Sequence, residues 1–113
     1  MESQSWWNGI DVAVTVCDRE GIIVHMNDQA ARTFSTDGGK ALRGKNLWDC
    51  HPEAVREKIR RIMETGASNS YTIEKNGVKK MIHQTPWREN GELRGLVEFS
   101  LVIPLVLPHF VRG

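Results

Sequence analysis

The dipeptide Asn76-Gly77 stands between two strand-like runs, Asn69 to Lys75 and Val78 to Arg88. Asn and Gly both accept positive φ, which a two-residue hairpin turn demands at both central positions, so these runs must be adjacent antiparallel strands. A second turn at Glu89-Asn90-Gly91-Glu92 leads into Leu93 to Ile103, giving three antiparallel strands in succession. A further pair opens the chain. Asp11 to Cys17 and Ile22 to Met26 are rich in Val, Ile and Thr and flank the tight turn Asp18-Arg19-Glu20-Gly21.

Helical signals lie between the two strand groups. Asn27 precedes the Ala-rich stretch Asp28 to Phe34, as a side-chain acceptor precedes a helix. Ser35 to Gly39 reads as a loop, and Lys40 to His51 as one or two short turns burying Leu42, Leu47 and Trp48. Pro52 to Thr65 is the clearest helix. Pro suits its first position, Val55, Ile59, Ile62 and Met63 recur every three or four residues, and Gly66 ends it. Its other face, with Arg56, Glu57, Arg60, Arg61 and Glu64, is a water-facing stripe. The order predicts one α+β domain over 1–113: a five-stranded antiparallel sheet with helices packed on one face.

Charge and cysteine content narrow the function. Fifteen basic and 14 acidic residues give a net charge of +1, so no global field recruits nucleic acid or an anionic membrane. The longest apolar run, Leu101 to Leu107, is broken by Pro104 and falls short of the roughly 20 residues of a membrane span. Cys17 and Cys50 stand in no metal or disulfide spacing, and Met1 to Asn8 has no signal-peptide pattern. A cytoplasmic location is expected. No nucleophile elbow, P-loop, zinc-protease or dinucleotide motif occurs, so a catalytic role is not expected.

Three segments, in order, resemble the PAS domain family over residues 9–104. Val14 to Asn27 is similar to the family's opening hairpin with its trailing Asn, Gly44-Lys45-Asn46-Leu47 to a short helix after a Gly, and Thr85 to Gly95 to the Pro and paired Gly around the last hairpin. The Asn46 to Pro52 segment is most like PAS modules beside hemerythrin-like domains in bacterial regulators. Residues 1–8 would then form an N-terminal cap and 105–113 a tail. Val102-Ile103-Pro104 stands where the family often has an Asp-Ile-Thr triplet, and Pro108 prevents a long coiled coil in the tail. Either a lone module acting on a separate signalling partner or a piece of a larger regulator fits this pattern.

The resemblance implies a sensory module with a small-molecule or cofactor site between sheet and helices. Alternation proposes as its lining Val14, Val16, Val24, Met26, Phe34, Trp48, Ile59, Ile62, Met63, Tyr71, Ile73, Ile82, Gln84, Leu96, Glu98 and Leu101, although the aliphatic members serve equally as plain core. Gln84 and Tyr71 carry more information, because a polar group buried without a partner costs ~1–3 kcal/mol. A register shifted by one would turn His83 inward instead.

The cofactor is left unknown. Heme-binding relatives use a histidine on the long helix, and His51 stands just before it, but no two of the four histidines share metal-site spacing, and no metal site is expected. Leu47, not a cysteine, follows Asn46, against the flavin adduct of the photoreceptor branch. The alternative function is a ligand-free interaction or homodimerisation module. Trp6, Trp7, Leu105, Leu107 and Phe110 would form its interface or else pack back on their own sheet.

Overall fold

The computed structural model describes residues 5–45 and 53–113. The expectations for Leu47, Trp48, Cys50, His51 and the Val55 side chain lie outside the described residues. Among the described residues, three α-helices, α1 (Ser5–Gly9), α2 (Asp28–Thr33) and α3 (Glu53–Thr65), accompany five strands: β1 (Ala13–Asp18), β2 (Ile23–Met26), β3 (Asn69–Lys75), β4 (Val78–Glu89) and β5 (Glu92–Ile103). The strands form one antiparallel sheet in the order β2-β1-β5-β4-β3. The two ends of the chain therefore meet at its centre, where β1 lies beside β5.

Local chemistry sets the connections. Asn76 and Gly77 take φ of 54° and 78°, and Asn90 and Gly91 take 53° and 82°, the positive angles of a mirror-image hairpin turn. The Asp18 carboxylate accepts from the backbone N–H groups of Glu20 and Ile22 at 2.9 and 3.0 Å, closing the first turn. Outer strand β2 is not left bare: the Ile23 amide donates to the Lys45 carbonyl at 2.9 Å and the Gly44 amide to the Ile23 carbonyl at 2.7 Å. These two bonds occupy the outward backbone groups of Ile23, at the start of the edge strand.

Helices α2 and α3 cover one side of the sheet. Ala30 of α2 packs with Ala13, Ile23 and Met26, flanked by Phe34 and Leu42, while Ile59 and Ile62 of α3, flanked by Met63, pack on Cys17 and Leu96. Ser35 to Gly39, expected as a loop, contains a 3-10 turn at Ser35–Asp37, and a second follows at Gly39–Leu42. The helices expected from the sequence, α2 and α3, do share one face. Helix α1, unforeseen in the polar start, carries Trp6 and Trp7 over the opposite face, beside Val16 and Val97. No helix among the described residues is long and apolar enough to cross a membrane.

Candidate functional site

Side chains alternate across a strand, so the packing of Cys17 and Leu96 under α3 decides which residues face the helices. Cys17 pairs with Leu96, Thr15 with Glu98 and Ala13 with Ser100; Ser100 pairs in turn with Ile82, and Glu98 with Gln84. On β3, Tyr71 pairs with Ile82 and Asn69 with Gln84. Thr15, Glu98, Gln84 and Asn69 thus form one row across four strands.

This row is polar in the middle of the helix-facing side. Gln84 is 2% exposed, yet both ends of its amide are bonded: Nε2 donates to Glu98 Oε2 at 2.8 Å, and Oε1 accepts from Asn69 Nδ2 at 3.1 Å. Ile82 and Leu96, its apolar neighbours on the adjacent rows, are buried, whereas Tyr71 and Ile73 on β3 are exposed at 37% and 47%. The row therefore opens toward the β3 edge. Burial, and after it the negative charge of Glu98, pushes the Tyr71 phenol above its ordinary 10.0.

Among the expected lining residues, the structure gathers Met26, Tyr71, Ile82, Gln84 and Glu98 on or beside this row, and puts Phe34, Ile59, Met63 and Leu96 in the flanking apolar clusters. Ile73 shares the face but is half-exposed. Val16 does not belong. It lies on the opposite face with Val24, and Val14 and Leu101 share that side by alternation. A bulge opposite Val16 and Cys17 shifts the register by one, so Ile23 and Met26, three residues apart, both reach the helix side. Simple alternation from Met26 back to Val24 fails for that reason.

Asn69 and Thr15 were missed. Counting outward from the Asn76-Gly77 turn pairs Asn69 with Gln84 without any structure, so the signal for Asn69 was present. His83 faces the other side, where its Nδ1 bonds the Ser70 hydroxyl.

The opposite face holds a groove of about 830 Å³ walled by Trp6, Trp7, Val16, Val24, His25, Trp87 and Val97 and rimmed by Asp18, Arg19, Glu20 and Arg94. Trp6 and Trp7 meet edge to face at 6.3 Å, and Trp6 is 63% exposed. The other interface candidates, Leu105, Leu107 and Phe110, are exposed on the tail after β5 and do not line the groove.

The family model for the PAS fold matches residues 7–103. The chain belongs to the PAS fold family. A search of curated proteins finds no match for this PAS domain, whereas solved structures resemble it closely in shape. The PAS domain of a Colwellia psychrerythraea protein is 16% identical with a TM-score of 0.69, covering 90% of this chain and 94% of its own. The Vibrio cholerae VqmA dimer, a LuxR-type receptor in the absence of its target DNA, is 17% identical with a TM-score of 0.71; the match covers 90% of this chain but only 50% of VqmA. The Aer2 receptor of Vibrio cholerae, a dual PAS-heme oxygen sensor, is 20% identical with a TM-score of 0.60, covering 84% and 96%. At these identities the likeness is one of fold.

Cys17 of this PAS domain is 3% exposed, and burial raises its thiol from 9.0 to about 11. A thiol held protonated is a poor nucleophile. Between those values the native state keeps a proton that the unfolded chain loses, so stability falls as pH rises, by about 1.4 kcal/mol per pH unit. Urea unfolding at pH 9 and 11 should show this loss in a Cys50→Ser background. Adding Cys17→Val should remove that component, and an unchanged pH dependence in the double variant would count against it.

Proposed function

We propose that this PAS domain is a sensory module that holds a small molecule against the helix-facing side of its sheet, at Gln84, and passes the occupied state to a partner. One observation supports the reading above others: a fully buried glutamine bonded side chain to side chain, where an aliphatic residue would fill the core at no polar cost. The row opens at Tyr71 and Ile73, which gives a ligand a way in. Its hydrogen bonds run along the sheet as a recognition surface, not toward a nucleophile, so the role is binding and not catalysis. A ligand acts only through its different affinity for two states of the domain, and β5, which carries Glu98, also leads into the tail.

A homodimer through the outer face is the second reading, favoured by the apolar groove and exposed Trp6. Near-neutral charge supports a protein partner over nucleic acid and fits a cytoplasmic setting. The DNA named with VqmA belongs to that protein.

Native mass spectrometry of gently purified protein tests both readings. The expected spectrum carries an added small-molecule mass that is missing from Gln84→Leu, with the variant still folded. A bare wild-type mass, or the same adduct on both proteins, would count against the ligand site. Twice the chain mass, reverting to one on Trp6→Asp, is the dimer's signature.

A further inference from the structure

The two edges of the sheet are finished differently. At β2 the backbone of Ile23 bonds Gly44 and Lys45, whereas β3 ends the other side with seven residues, all but Asn69 exposed. No proline or bulge blunts β3. Its turn closes on a bonded pair, Lys75 with Val78, and bonded pairs recur at every second residue of an antiparallel ladder. Ile73, Tyr71 and Asn69 therefore bond β4, while the N–H and C=O groups of Ser70, Thr72 and Glu74 point away from it. Among the described residues, no backbone bond beyond the ladder meets those three. Such a row of outward groups is a template for another strand.

We propose that β3 pairs antiparallel with β3 of a second copy of this chain, across a two-fold axis at Thr72, so that two sheets become one. The sequence of the strand is complementary to itself in this register. Thr72 meets Thr72 of the copy on one face; on the other, Tyr71 meets Ile73 and Ile73 meets Tyr71, an aromatic to β-branched pair made twice, of the kind that stabilises neighbouring strands. Charged residues fall opposite neutral ones, Glu74 facing Ser70 and Lys75 facing Asn69. A two-fold at Glu74 would oppose two carboxylates, and one at Ser70 would carry Ile73 past the end of its partner strand. Three bonded pairs, Thr72 with its copy and Ser70 with Glu74 twice, supply about six main-chain bonds. The contact is isologous and closes at two copies. It uses the edge of the sheet and not the outer face, and it stands whether or not a ligand binds at Gln84, although the copy would close the open end of the polar row at Tyr71 and Ile73.

Sedimentation equilibrium of the whole chain, carried up to about 1 mM because so small a contact binds weakly, reads the association. The average mass is expected to rise toward two chains with concentration, and to do so in Trp6→Asp as well, which removes an outer-face dimer. Thr72→Lys and Thr72→Glu, at an exposed position, should each weaken the dimer at least roughly fivefold by setting like charges opposite each other, and an equimolar mixture of the two variants should restore it. Hydrogen exchange at the Ser70, Thr72 and Glu74 amides should slow as the dimer forms, which a contact between faces would not cause. A chain that stays monomeric, a dimer lost with Trp6→Asp, variants that associate like the wild type, a mixture that does not recover, or edge amides that exchange alike in monomer and dimer would each overturn the proposal and leave the reading of Gln84 untouched.

Discussion

Asn27→Ala is expected to remove about 3–5 kcal/mol from the fold, a large part of the ~5–15 kcal/mol that holds a domain of this size together. Asn27 is fully buried, and its side chain uses every hydrogen-bonding position it has. Oδ1 accepts from the Val14 amide at 3.0 Å and from the Ala30 amide at 2.9 Å. Nδ2 donates to the carbonyls of Trp7 at 2.9 Å and Val12 at 2.8 Å. One residue thus caps α2, fixes the start of β1 and tethers α1. Alanine leaves those backbone groups without their partner, each at ~1–3 kcal/mol where water cannot replace it. The urea midpoint should fall by roughly 2 M, given a slope of ~1–3 kcal/mol per M; a fall below about 0.5 M would show that the four bonds are dispensable. Asn27→Asp keeps both accepted bonds and sets a carboxylate against two carbonyls, so it should release α1 specifically, seen as a red shift of Trp7 emission.

Gly95→Ala should be nearly as damaging, for a steric reason. Gly95 pairs with Asp18 on one side and Trp87 on the other. An added Cβ would overlap the carbonyl oxygen of Cys17, and it would stand 2.7 Å from Trp87 Nε1, the atom that now donates to that same oxygen at 3.3 Å. Backbone cannot yield as a flexible side chain can, so β1 must move away from β5 at the one seam joining the two ends of the chain. A loss of at least about 3 kcal/mol is expected. Gly66→Ala provides the contrast, since its Cβ would meet the mobile end of Arg88, although its positive φ of 75° adds strain of its own. A thermal midpoint for Gly95→Ala equal to that of Gly66→Ala would contradict the seam argument.

Much of this architecture was readable before any coordinates. The Asn-Gly dipeptides carry their own backbone angles, so three strands and their register near the turns followed from chemistry local to four residues. Asn27 was legible as a helix start for the same reason, but its bonds to Trp7 and Val12 were not, because they span 20 and 15 residues. The candidate site was half legible. Gln84 and Tyr71 stood out as polar residues on the inward side of β3 and β4, and Glu98 entered by alternation along β5. Pairing Glu98 with Gln84, however, depends on the register shift at Trp87 and Arg88 opposite Gly95 and Leu93. Counting straight from the Asn90-Gly91 turn sets Val97 there instead. Val16 went wrong because both faces of β1 are apolar: Ala13 and Cys17 lie under the helices, while Val14 and Val16 face the side that α1 partly covers. Helix α1 itself gave no pattern, since five residues hold too little periodicity to read.

Two faces of one sheet compete as the place where a small molecule acts: the polar row under the helices and the aromatic groove outside. A 1H-15N spectrum of the protein with its co-purified or added small molecule distinguishes them in one experiment. The side-chain amides of Gln84 and Asn69 report the row, and the indole N–H groups of Trp6, Trp7 and Trp87 report the groove. The prediction is that the amides shift on binding while those three indoles stay in place. Shifted indoles with unmoved amides would put the ligand on the outer face and end the case for Gln84.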